Sequence, residues 1–187
     1  KNVEANTKSI IKFLNINNKD RLITTLPPDY TYGFSLLNTH LCKGSTIVIN
    51  DYSVIQREFW ELLNKTKATT FGGVPYTFEL LKKIRFDNYK ISSLKYITQA
   101  GGKLSHENQR YFFEILAKKK VKFIIMYGAT EATSRMSYLP WSDCRKKIGS
   151  IGIPIPGTTM EISRPDNKKI GEIIFKGKNV SLGYANS

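Results

Sequence analysis

Phe123-Ile124-Ile125-Met126-Tyr127-Gly128-Ala129-Thr130-Glu131-Ala132-Thr133 is the stretch that decides the reading of this chain. It begins as an apolar run of strand character. Within five positions it then breaks into an aromatic ring, a glycine, a hydroxyl and a carboxylate. A strand that runs into such a polar turn is where an open α/β sheet presents groups to a ligand. Tyr127 offers a flat face to a base or ring, and Gly128 lets backbone come close. Thr130 offers a hydroxyl to a phosphate oxygen, and Glu131 a hard oxygen ligand for Mg²⁺. A strand end with ordinary turn residues is equally open on these positions alone, so the surrounding chain has to decide.

Upstream, strand and helix signals alternate. Residues 2–14 carry Val3, Ile10, Ile11 and Leu14 at helical spacing. Arg21 to Leu26 reads as a strand closed by Pro27-Pro28. Phe34, Leu37 and Leu41 mark a helix that Gly44 ends. Thr46 to Ile49 is a strand, followed by a helix holding Phe59, Trp60, Leu62 and Leu63. Ala68 to Phe71 is expected to be a strand stopping at Gly72-Gly73. Pro75 then starts a helix with Phe78, Leu81 and Ile84. Leu94 to Thr98 is a strand ended by Gly101-Gly102, and Ser105 caps a helix with Phe112, Phe113, Leu116 and Ala117. Val121 to Met126 completes the series. The pattern predicts an α/β fold, a mostly parallel sheet with helices on both faces.

Beyond about Trp141 the grammar changes. Residues 148–157 (IGSIGIPIPG) hold too much glycine and proline for a helix. Thr159 to Ser163 and Glu172 to Phe175 read as antiparallel strands, with Pro165-Asp166-Asn167 turning between them. The expected division is an α/β part over 1–143 and, over 144–187, the start of a small β-barrel too short to close by itself.

Composition narrows the function classes. The chain has 187 residues, a hydrophobic content of 41% and an aromatic content of 12%, enough for a buried core. No apolar run of 18 residues predicts a membrane span, and no secretion signal is visible. Cys42 and Cys144 are far apart and read as free thiols of a reducing cytosol, so a cytoplasmic location is expected. His40 and His106 cluster with neither cysteine, which argues against zinc. The first residue is Lys1 and its neighbours already read as helix, the pattern of a piece of something longer. A net charge of +14 favours anionic partners such as nucleotides, CoA-like thiols, acidic carrier proteins or nucleic acid. The charge is spread out, however, and Lys118-Lys119-Lys120 sit where a helix should end.

The turns after the strands converge on one rim: Pro27 to Gly33, Phe71 to Val74, Gln99 to Lys103, and Tyr127 to Glu131. Glycine pairs, or a glycine beside an aromatic, in these turns remove side-chain bulk and let main-chain N–H groups reach a ligand. Four permissive turns on one rim favour a pocket over four unrelated tight turns.

The segments LPPDYTYG, FGGVPYTFELL, QAGGKLS, MYGATEA, GSIGIPIPG and GEIIFKGKNVSLGY, in that order, resemble the adenylate-forming (AMP-binding) superfamily. That group includes acyl-CoA synthetases, luciferases and the adenylation domains of peptide synthetases. The resemblance covers essentially the whole chain, and YGATE is its most specific part. It implies a large N-terminal domain of which this is the central portion. It also implies a reaction in which a small carboxylic acid attacks the α-phosphate of ATP, expels pyrophosphate and forms an acyl-adenylate. A thiol then takes the acyl group, from CoA or from a phosphopantetheine carrier such as an acyl carrier protein.

By the same resemblance, Tyr127 stacks on adenine, Thr130 contacts the α-phosphate and Glu131 binds Mg²⁺, which makes Thr130 and Glu131 the catalytic candidates. Gly101, Gly102, Lys103, Met126, Gly128 and Ala129 join Tyr127 and Thr130 around the nucleotide. Tyr32, Gly73 and Val74 form part of the acyl pocket. Two positions depart from the pattern: Lys103 replaces a proline or small residue, and Tyr30 stands where many acyl-CoA synthetases have histidine. The family's phosphate loop would precede Lys1, and its T-G-D aspartate and C-terminal domain would follow Ser187. Residues 1–187 alone are therefore expected not to adenylate at a useful rate. An adenylation domain for an amino or aryl acid is the alternative within the class. A basic nucleic-acid-binding protein is the rival outside it, disfavoured because most aromatics fall at core positions.

Overall fold

The computed structural model describes residues 1–163 and 170–184. The turn expected at Pro165-Asp166-Asn167 and the last three residues lie outside them. Five parallel strands alternate with helices: α1 (Asn2–Leu14), β1 (Arg21–Ile23), α2 (Thr31–Cys42), β2 (Thr46–Val48), α3 (Arg57–Thr66), β3 (Thr70–Gly73), α4 (Pro75–Lys83), β4 (Tyr96–Gln99), α5 (His106–Lys118) and β5 (Lys122–Tyr127). Two short antiparallel strands follow, β6 (Ser137–Tyr138) and β7 (Ile153–Pro154). The sheet order is β2-β1-β3-β4-β5-β6-β7. A separate antiparallel pair, β8 (Thr158–Ser163) and β9 (Glu172–Gly177), comes last. The expected α/β class with a mostly parallel sheet and a terminal antiparallel segment is what the structure shows.

Strand side chains alternate between faces, so each strand feeds two cores. Ile23, Phe71, Ile97, Phe123 and Ile125 pack with α3, α4 and α5 residues such as Phe59, Phe78, Leu81, Phe112 and Leu116. Leu22, Ile124 and Met126 pack on the other side with Tyr32 and Leu36 of α2. The first core is built of rings: Phe112 lies 5.1 Å from Phe78, 5.8 Å from Phe123 and 6.2 Å from Phe86 between centroids.

The local signals act as their chemistry requires. Ser105 Oγ accepts the Asn108 N–H and caps α5, Pro75 opens α4, and Gly44 takes φ 65° just past α2. One expectation needs correcting. β3 does not stop before Gly72 and Gly73; they are its last two residues and pair with Thr98 and Gln99 inside the sheet. The physical reason is proximity, because a Cβ at Gly72 would sit 2.7 Å from Leu36 Cδ1 and 2.9 Å from the Tyr32 hydroxyl. That glycine lets α2 approach the sheet. The segments that form β6 and β7 gave no strand signal in the sequence. Pairing of Ile153–Pro154 with β6 carries the large sheet past residue 143.

Candidate adenylate site at the carboxyl rim of the sheet

β5 delivers Tyr127 to the rim, where its ring is 36% exposed. The chain then folds back sharply. A side chain at Gly128 would collide with the Ser134 carbonyl, so only glycine fits that crossing. Residues 130–132 form a single 3₁₀ turn. Thr133 and Ser134 have φ of 63° and 129°, a region that costs a non-glycine residue about 1–3 kcal/mol. Specific bonds hold the strain. The Thr133 hydroxyl donates to Asn179 O at 2.5 Å, and the Ser134 N–H donates to Ala129 O at 3.2 Å. Asn179, 1% exposed, donates from Nδ2 to Ala132 O at 2.7 Å. The segment after β9 therefore braces the loop from behind.

Two cavities flank the tips of β4 and β5. The larger, about 460 Å³, is lined by Gly101, Gly102, Lys103, Met126, Tyr127 and Gly128, among others. The smaller, about 90 Å³, is lined by Tyr32, Gly101, Gly128, Ala129, Thr130 and Ser134, with Tyr30, Thr31 and Ala100. They share Gly101 and Gly128, the backbone saddle between them. Gly101 has φ 77°, and a side chain there would strike the Tyr30 hydroxyl. The Gln99 amide shapes that turn by donating to Gly102 O at 2.9 Å. Thr130 and Thr31 hydroxyls lie 3.2 Å apart across the mouth of the small cavity.

Glu131 stands just outside both cavities, fully exposed. Its own backbone N–H and the Tyr184 hydroxyl, 2.8 Å from Oε1, hold its carboxyl below the usual carboxylate range. The same bond raises the Tyr184 phenol. No cluster of three potential metal ligands exists among the described residues. One ionised, open carboxylate next to a threonine hydroxyl still fits Mg²⁺, which takes one or two protein carboxylates and completes its shell with waters and phosphate oxygens. Gly73 and Val74 lie beside the cavities, not in them. A Cβ on Gly73 would face Thr77 and Phe78 of α4, while Val74 Cγ1 sits 3.1 Å from where a Gly101 Cβ would be. Tyr32 lines the small cavity, and its hydroxyl bonds Thr98 Oγ1 at 2.7 Å.

Several neighbours were given no role by sequence reasoning: Thr31, Ser134, Arg135, Asn179 and Tyr184. Thr31, Asn179 and Tyr184 lie inside the segments that carry the resemblance, whereas Ser134 and Arg135 lie just past the end of one. Arg135 in particular is one of 29 basic side chains in a chain that reads as evenly basic.

In open parallel α/β sheets, ligand sites lie at the carboxyl ends of the strands, where the two cavities of this chain are found. The sequence model of AMP-binding enzymes matches residues 1–185, and the chain belongs to that family. It is 30% identical over 198 residues to a probable 4-coumarate–CoA ligase of Dictyostelium discoideum, covering all of this chain and 35% of that protein. It is 28% identical over 174 residues to indoleacetate–CoA ligase of Aromatoleum aromaticum, covering 89% of this chain and 33% of that one. The crystal structure of o-succinylbenzoate CoA synthetase from Bacillus subtilis with ATP and magnesium ion superposes with TM-score 0.83 at 26% identity, over 100% of this chain and 38% of that chain. The chain thus spans about a third of the length of the curated relatives it matches. No helix among the described residues is long and apolar enough to cross a membrane.

Proposed function

We propose that this chain is the nucleotide- and acid-binding part of an AMP-forming, ATP-dependent carboxylic acid ligase. The observation that carries the reading is the pair of cavities meeting at Gly101 and Gly128, with Tyr127 on one side and Thr130 on the other. A base in the larger cavity lies against Tyr127, with Gly101, Gly102, Lys103 and Met126 around its edge. An acid in the smaller one reaches the same saddle beside Thr130. The α-phosphate then sits between them, near Gly128 and Ala129, where exposed backbone and the Thr130 hydroxyl can steady charge developing in the transition state.

Glu131 is the group to hold Mg²⁺, whose positive charge would offset that of the departing phosphates. Its depressed proton affinity keeps it ionised for that role. Tyr32 closes the acyl side, with Gly73 and Val74 supporting the wall behind Gly101. The relatives' names, CoA ligases for coumarate and indoleacetate, favour CoA over a carrier protein as the acceptor, and a cytoplasmic setting accords with CoA chemistry. We place residues 1–143 in an α/β unit and 144–187 in the start of a small β-barrel, with β7 as the strand that ties the second to the sheet.

The test is ATP–pyrophosphate exchange by the full-length protein over a panel of carboxylic acids. Exchange that depends on both acid and Mg²⁺ is expected. Glu131→Gln should lower it by about 10²–10³-fold, the loss typical of removing one transition-state electrostatic contact. Because that side chain is exposed, stability should stay within about 0.5 kcal/mol of wild type. Acid-independent exchange, or a fully active variant, rejects the assignment.

A further inference from the structure

The small cavity ends on two tyrosine rings, and both are held in place. Tyr32 is 3% exposed and closes the cavity from within. Its hydroxyl lies 2.7 Å from Thr98 Oγ1, and a Cβ on Gly72 would come within 2.9 Å of the same oxygen. The Arg135 guanidinium lies against its ring, 4.9 Å from the centroid. A ring packed on so many sides does not swing away to admit a longer ligand.

Tyr30, the residue before α2, forms the other wall. Its N–H donates to Pro27 O at 3.3 Å, and its carbonyl accepts the Phe34 N–H at 2.9 Å. Its hydroxyl reaches across to Gly101, where any side chain would strike it. The two rings meet edge to face with centroids 6.3 Å apart, so they make a corner. Between that corner and the Gly101–Gly128 saddle about 90 Å³ is left, roughly three waters' worth. No charged side chain lines this space among the described residues. Of its hydroxyls, that of Ser134 lies 3.1 Å from Ser35 Oγ, and those of Thr31 and Thr130 face each other at the mouth.

We propose that Tyr30 and Tyr32 set a short limit on the acid, so that the substrates are monocarboxylic acids of about two to four carbons with an uncharged tail. This rests on the ligase reading above. The carboxylate would react at the saddle, and the tail would fill the corner between the rings. A longer tail has to displace a packed ring, and a charged one has to leave water without a counter-charge. One methylene too many in such a pocket typically costs about 10–200-fold in kcat/KM. Tyr30 is the wall that a substitution can remove with least damage, because it is 36% exposed whereas Tyr32 is buried.

The experiment is a series in the exchange assay with the full-length protein: acetate, propanoate, butanoate, hexanoate, octanoate, benzoate and succinate. The best acid should fall between acetate and butanoate, with kcat/KM for hexanoate and for succinate lower by about tenfold or more. Tyr30→Ala should narrow the gap between the best acid and hexanoate by about tenfold while KM for ATP stays unchanged, and Tyr30→Phe should keep the gap. The wild-type series decides even if Tyr30→Ala fails to fold. Wild-type use of hexanoate, octanoate, benzoate or succinate as good as that of the short acids overturns the limit and leaves the ligase reading standing. A folded Tyr30→Ala variant with the wild-type gap overturns the part given to Tyr30. No exchange with any acid of a wider panel overturns both the limit and the ligase reading.

Discussion

The two faces of the central sheet are built from the same strands and do different work. On the α3–α5 side the alternate residues are almost all apolar, and aromatic rings fill the space between strand and helix. On the α1–α2 side the apolar cluster is small, and among its neighbours are the buried polar groups Ser35, Thr39, His40, Thr98 and Arg135. Hydrogen bonds within α2 absorb some of this polarity: the Thr39 hydroxyl donates to Ser35 O at 2.8 Å, and His40 Nδ1 meets Leu36 O at 2.8 Å. Polar groups kept out of water need such partners, and the Arg135 guanidinium lies against the Tyr32 ring, 4.9 Å from its centroid. The first face holds the fold together. The second has a smaller apolar cluster and holds several buried polar groups.

Substitutions can break this contrast, and the largest effect is expected on the apolar face. Phe112→Ala removes a fully buried ring that touches Phe78, Phe86 and Phe123, and should cost about 3–5 kcal/mol by chemical denaturation. A loss below 1 kcal/mol would mean that this face is not the main source of stability. A smaller change is expected across the sheet. Gly72→Ala pushes a methyl against Leu36 and Tyr32, which should cost about 1–3 kcal/mol through overpacking. Because Tyr32 also walls the small cavity, the same variant should raise KM for the acid more than KM for ATP. Equal changes in the two would uncouple α2 from the acid side.

The subtlest contrast is in pH. Burial of the His40 ring lowers its pKa from 6.5, with Arg135 pushing the same way and Asp20 and the Leu36 carbonyl opposing. The folded chain thus holds fewer protons than the unfolded one below about pH 6.5. Stability from this group is complete above that value and is lost as pH falls toward the lowered pKa. His40→Asn should flatten the pH dependence of the urea midpoint over that window. An unchanged slope would place the acid sensitivity elsewhere.

Much of this was legible in the residues. Period and punctuation located the five parallel strands and their helices, because each element carries its own local cause: apolar spacing, Ser105 as a cap, Pro75 at a first turn. The rim loops were legible for the same reason, since Gly101, Gly128, Thr130 and Glu131 lie within short contiguous motifs. Gly72 was expected to stop the strand, whereas it lies within it. Its requirement is the nearness of Tyr32 and Leu36 from another element, and nothing in the local sequence encodes that distance.

Sequence by itself determined the α/β alternation, the family resemblance and the glycine-rich turns at the carboxyl rim of the sheet, because those depend on neighbours along the chain. Only the tertiary structure decided that Tyr32 and Thr130 share a cavity, that Glu131 stands outside it beside Tyr184, and that the Arg135 guanidinium is buried against the Tyr32 ring. A local pattern can state what a residue is able to do. Which charge is left facing which space is set by parts of the chain as far apart as Tyr32 and Arg135, and only folding brings them together.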